Sequence, residues 1–432
     1  MDQTTSTLLI GAAMIAVFVA AWWRGVPHII SLSFAALVGA IVAGEGVPLR
    51  HLVEGSFMFF DLVVIILTAT IFIGVVKETG ALQGLIRDIT QGFHNRPLVL
   101  LSMMTLVVML PGALTGSGTA AVLAVGSLVG SVLVTMGIPL AKAVSIVALA
   151  GIVGSFAPPI NIPAMAMANG INMPYVGLDL ALAVISIPLG ILTALWLGAR
   201  YLREKMDAEA LLEVLGQADS RSSSRVGTYA PFVVLLGVMV VLRVFHDRVP
   251  DIGVPLVFVV GTIVAWLLSP KAVNILEVSK KMLREAMPVA SILIGVGAFV
   301  QIMTLTGVRG LFVITAITLP LLALYLFTFF GFAIAGSLLG SYGSGVVFGI
   351  PVALAFLDRD PIMAIVGLSL LAAYSSLTPP TAIVGQASIV AMEYRRGYGS
   401  ILKIVSWPWI LASIVGILVV IYADRLGFLV WF

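Results

Sequence analysis

Apolar runs long enough to cross a lipid bilayer recur from one end of the chain to the other. Leu8 to Trp23, Ile29 to Ala43, Phe57 to Val76, Leu98 to Leu110, Pro231 to Val244, Val254 to Leu268 and Ile401 to Tyr422 are the clearest. About 20 helical residues cross the roughly 30 Å of hydrocarbon. Only 10% of the 432 residues are charged, against about 25% in soluble domains, too few to cover a water-facing surface. Met1-Asp2-Gln3-Thr4 lacks the basic stretch of a signal peptide, so the first run is expected to be a mature span. The expected fold class is an all-α integral membrane protein.

Several chemistries are excluded early. The chain has no cysteine, hence no disulfide, thiolate metal site or cysteine nucleophile. A net charge of +3, with its cations between spans, supports no nucleic-acid face. Neither H-E-x-x-H, G-x-S-x-G nor a Walker A motif occurs, and His28, His51, His94 and His246 lie in or near connecting segments. Intramembrane metal or triad catalysis is therefore unsupported.

The irregular segments come in pairs. Gly112-Ala113-Leu114-Thr115-Gly116-Ser117 matches Gly336-Ser337-Leu338-Leu339-Gly340-Ser341, 224 residues on. Phe156-Ala157-Pro158-Pro159 matches Leu377-Thr378-Pro379-Pro380, 221 residues on. Glu78-Thr79-Gly80-Ala81 resembles Leu305-Thr306-Gly307-Val308, each behind a short amphipathic piece near Pro48 to Glu54 and Pro270 to Arg284. Matches in the same order define two inverted-topology repeats, each with a re-entrant hairpin and a discontinuous helix. The first repeat covers residues 1–200, with its hairpin at about 97–135 and its broken helix at about 139–171. A polar linker follows at 201–227. The second repeat covers 228–432, with hairpin at about 318–357 and broken helix at about 361–392. The linker carries Arg200, Arg203, Lys205, Arg221 and Arg225 among its charges, which places it in the cytoplasm.

Small residues also serve close packing in membranes, but three glycines in 112–118 and three in 340–345 would each cost a helix about 1 kcal/mol. Pro158-Pro159 and Pro379-Pro380 remove further donors. All four stretches read as breaks, tolerated only where they are buried in protein or line a watery cavity. A break frees carbonyls on one side and amides on the other, suited to a cation and to a carboxylate respectively. Ser117, Thr119, Asn161, Ser344 and Thr381 are the expected solute contacts. Asn169, Gln301 and Gln386 are longer polar groups of the same regions. Intramembrane ionisable residues are few: Asp61, Lys77, Glu78 and Lys142 all fall near span ends, where a charge reaches water. With no carboxylate in the tips, coupling to Na⁺ is favoured over a proton relay.

The Thr115-Gly116-Ser117-Gly118-Thr119 tip, the Ala157-Pro158-Pro159 and Thr378-Pro379-Pro380 breaks and their order resemble the large membrane subunit of TRAP transporters, within the ion-transporter group of elevator-type carriers. That resemblance covers nearly the whole chain. It implies Na⁺-driven import of small organic acids such as dicarboxylates across a bacterial inner membrane. It also implies a small four-span membrane subunit and a soluble substrate-binding protein as partners. Sodium sites would lie around Gly116, Ser117, Pro158, Gly340, Ser341 and Thr378. The chain departs from the pattern at Ile160-Asn161, where the family more often has Ser, and in the glycine-rich 340–345 tip. A standalone carrier of the same fold is the nearest alternative; a channel and an intramembrane enzyme are the readings from other classes. A homo-oligomer stays open.

Overall fold

Apolar helices ended by glycine and proline give a layered helical membrane protein. The computed structural model describes residues 3–203, 225–245, 248, 250 and 252–430. Residues 204–224 of the expected linker, and His246, lie outside them. Nine helices among the described residues are long and apolar enough to cross a bilayer.

The first half runs α1 Gln3–Trp23, α2 His28–Val42, α3 Leu49–Phe57, α4 Phe60–Glu78, α5 Ala81–Phe93, α6 Pro97–Thr115, α7 Gly118–Thr135, α8 Leu140–Phe156, α9 Ile162–Gly170 and α10 Asp179–Gly198. The second runs α11 Arg225–Val244, α12 Val254–Leu267, α13 Ile275–Leu305, α14 Val308–Thr318, α15 Leu321–Gly343, a π-helical segment Ser344–Gly349, α16 Ile350–Ala355, α17 Pro361–Ser375, α18 Ile383–Ala391 and α19 Tyr398–Ile421. Gly80 and Gly307, both left-handed, start the short helices α5 and α14.

Helices α1–α4 and α11–α13 pack chiefly on one another and form a frame, while α6–α10 and α15–α19 form a core. The arms α5 and α14 bridge the two, α5 lying on α6 and α14 on α16. Both hairpins and both interrupted helices belong to the core. The second hairpin is folded about Gly340: Phe332 and Phe327 on its descending arm meet Phe348 on the return, with ring centroids 5.1 and 5.3 Å apart. Tyr325 stacks on Phe356 further from the tip.

Three boundaries differ from expectation. The first break is confined to Gly116 and Ser117; α6 runs unbroken through Pro111 and Gly112. Packing overrides propensity there, because a Cβ on Gly112 would lie 2.9 Å from the main chain of Gly154. In the second tip only Gly340 leaves the helical region (φ 69°, ψ −172°), while Gly343 and Gly345 stay in helical turns. The amphipathic piece of the second half is the opening of the long α13 rather than a separate helix. The interrupted helices break at residues 157–161 and 376–382, near the two diprolines, and Pro163 lies inside α9.

Gly116 has φ 65°, and an added Cβ would sit 2.5 Å from Ile162 Cγ1. Left-handed strain and overpacking each cost about 1–3 kcal/mol, so Gly116→Ala is expected to lower the melting temperature in detergent by several degrees. Gly92→Ala, in helix α5 with nothing within 4 Å of the new atom, is expected to leave it unchanged or raise it slightly.

Candidate functional site

Each hairpin tip presses its bare backbone onto the break of its own half. Ile160 N donates to Ala113 O at 3.1 Å, and Thr381 N donates to Ser337 O at 3.4 Å. A Cβ on Gly116 would strike Ile162, and one on Gly340 would lie 2.9 Å from Ile383 Cδ1. Gly112 abuts Gly154 and Ser155, while Gly336 abuts Ser375. All these pairs keep the hairpin offset of 224 residues and a break offset of 220 or 221. The repeat is thus a repeat of contacts as well as of letters.

The side chains at these junctions are mostly committed. Ser117 caps α7, its Oγ accepting from Ala120 N at 3.2 Å, and its own N–H donates to Thr115 Oγ1. Asn161, fully buried, caps α9 through Ala164 N at 3.1 Å. Its amide nitrogen donates to Phe156 O and to Ser369 Oγ of α17, both at 3.1 Å. It therefore joins one interrupted helix to the other. The Tyr342 hydroxyl, from the second tip, donates to Gly116 O at 2.9 Å. Ser344 Oγ donates to Ser341 O and lies 3.2 Å from Ser375 Oγ. The Thr378 hydroxyl bonds Ser375 O, and Thr378 O accepts from Ala382 N. Thr381 Oγ1 is buried without a protein partner. Helix α18 has no side-chain cap, Ala382 standing where α9 has Asn161.

A cavity of about 290 Å³ opens beside the first tip. Thr115, Ser117, Thr119 and Leu123 form one wall, Thr70, Lys77 and Glu78 of α4 a second, and Lys281 and Glu285 of α13 a third. Of the expected solute contacts, Ser117 and Thr119 line it, whereas Asn161, Ser344 and Thr381 lie elsewhere. Pro158 lies at the first break and is half-buried, as are Ser341 and Thr378 in the second half. Gln301 packs against Gly55 in the frame, and Asn169 and Gln386 are exposed, so none of the three joins this site. Asp61 is exposed in the first turn of α4. Tyr342, Ser369, Ser375, Lys281 and Glu285 had no motif to mark them. Only the amphipathic opening of α13 hinted at the last two.

Residues 14–426 match the family described as "Tripartite ATP-independent periplasmic transporter, DctM component". The chain belongs to that family. It is a component of a TRAP-type secondary transporter, not an enzyme, and a multi-pass protein of the inner membrane. Its fold is shared with the YdaH transporter of Alcanivorax borkumensis (TM-score 0.59, 15% identity, 86% of this chain and 87% of that one). It is shared too with MtrF of Neisseria gonorrhoeae, described among antimetabolite efflux pumps (TM-score 0.57, 14% identity, 87% and 84%). At these identities the likeness establishes the fold alone. A sequence comparison with curated proteins found no match.

Asn161→Ala removes a helix cap and takes the side-chain donor from Phe156 O, while Ser369 keeps its own bond to Val366 O. The cap alone is worth about 1 kcal/mol, and a buried unsatisfied group adds about 1–3. Asn161→Ser keeps the capping oxygen. Thermal unfolding in detergent is expected to rank wild type above Asn161→Ser above Asn161→Ala.

Proposed function

We propose that this chain imports small organic acids by a Na⁺-coupled, elevator-type cycle, assisted by a small membrane subunit and a soluble binding protein. The observation that carries the reading is the paired tip-on-break contact beside a cavity between core and frame. Discontinuous helices meeting near the bilayer midplane are the general binding arrangement of inverted-repeat carriers.

The donor set near the breaks suits Na⁺ in kind: the carbonyls of Gly116, Pro158 and Gly340 and the hydroxyls of Ser117, Ser341 and Thr378 are all hard oxygens. A carbonyl oxygen has two lone pairs, so Gly116 O is able to serve both Tyr342 and an ion. Thr381 Oγ1, buried and unpaired, is a further oxygen in want of a partner. No group of three or more His, Cys, Asp or Glu side chains able to hold a metal occurs among the described residues. Bound Na⁺ would supply positive charge beside the first turns of α7 and α18. The amide ends of those helices favour a carboxylate on the same grounds. Ser117 and Thr119 would orient it from the cavity wall, with Asn161 fixing the frame of the site from behind.

Charge asymmetry supports an orientation in the membrane. Arg203 N bonds Met136 O, so the ends of α7 and α10 share one membrane face. Arg96, Lys142, Arg200, Arg203, Arg395 and Arg396 gather at that face, to which Glu393 and Thr135 are brought by a shared shallow cavity. The opposite end carries fewer cations, Arg359 and Arg425, beside Asp358, Asp360 and Asp424, the last bonding Asp360 N at 2.7 Å. Basic loops lie in the cytoplasm, so the cavity, which follows α7 from Ser117 toward Leu123, faces inward.

Uptake by Ser117→Ala and Ser341→Ala in vesicles, across a Na⁺ titration, checks the coupling. Each variant is expected to need severalfold more Na⁺ for half-maximal rate; unchanged Na⁺ dependence in both defeats the assignment. Uptake that proceeds with this chain alone would assign it instead as a standalone carrier.

A further inference from the structure

Where frame and core meet, three basic side chains from the frame and the start of its arm each donate a hydrogen bond to a main-chain carbonyl of the core. His28 Nε2 lies 3.1 Å from Leu338 O, just ahead of the Gly340 tip. Lys77 Nζ lies 3.2 Å from Leu123 O on the return arm of the first hairpin. Arg309 Nη2 lies 3.0 Å from Gly170 O, at the end of α9. The core is thus held at both hairpins and at an interrupted helix. The ion pairs Arg50–Glu54 and Arg359–Asp424 each lie within one body.

We infer that His28, Lys77 and Arg309 are positioning residues for the transport step, holding the core at its present station and releasing it when it slides. This rests on the reading above that the core moves against the frame. The nature of the acceptor supports it. Parting a buried ion pair strands two charges, whereas parting a cation from a carbonyl strands one neutral acceptor, and a long basic side chain is able to reach water. Helix carbonyls recur with a pitch of about 5.4 Å, so a displaced core presents the same donors with new acceptors. His28 and Arg309 are half-buried, which strengthens each bond.

The cysteine-free chain makes this testable with Thr119→Cys, on the cavity wall, and a membrane-impermeant maleimide applied from the cytoplasmic face of vesicles. His28 and Arg309 lie off that wall. His28→Phe keeps a ring beside Phe18 and removes the donor; Arg309→Gln removes the charge. Each is expected to slow labelling severalfold as the core leaves the inward-open station, with the melting temperature moved by no more than a few degrees. Arg309→Lys is expected to restore the rate. Labelling that proceeds normally in the parent and at the same rate in both variants overturns this inference alone. So does Arg309→Lys behaving like Arg309→Gln with an equal loss of stability, which would mark a purely structural contact. No labelling of the parent would overturn the moving-core reading beneath it.

Discussion

The molecule depends on main chain touching main chain at two places. At Gly116 and Gly340 the hairpins reverse with positive φ and no side chain, so the tip closes onto the interrupted helix behind it. A bonded backbone pair joins tip to break in each half. In a bilayer an unsatisfied peptide group costs several kcal/mol, and these bonds reduce the number left over at the two breaks.

The two halves share this plan without being equal. Asn161 caps α9 and reaches Ser369, while its counterpart Ala382 leaves α18 uncapped. Tyr342 of the second tip bonds the first tip, where the matching residue of the first tip is the glycine Gly118. The first tip borders the cavity; the second is held to the frame by His28.

The chain's letters carried the large features well. Apolar run length revealed the spans, and paired glycine and proline clusters revealed hairpins and interrupted helices to within a few residues. What they concealed follows from tertiary packing. Pro111 and Gly112 look like helix breakers but sit within a helix, because Gly112 is needed against Gly154. Gly343 and Gly345 continue helical turns for want of any tertiary reason to leave them. Ser117 and Thr119, expected from the tip sequence, stand on the cavity wall because the tip itself borders it. Asn161, also expected at the site, has its amide bonded to the protein's own scaffold. Tyr342, Ser369 and Lys281 act across distances in sequence that no motif spans.

Reactivity of the two tips from opposite faces tests the central claim most directly. Thr119→Cys and Ser341→Cys, in separate chains in oriented vesicles without solute, would be exposed to an impermeant thiol reagent from either side. The account predicts that Thr119→Cys reacts from the cytoplasmic face and that Ser341→Cys is protected from that face. Equal reaction of both tips from the same face would contradict it, since a single open path past both mirrored tips describes a pore rather than two halves that open in turn.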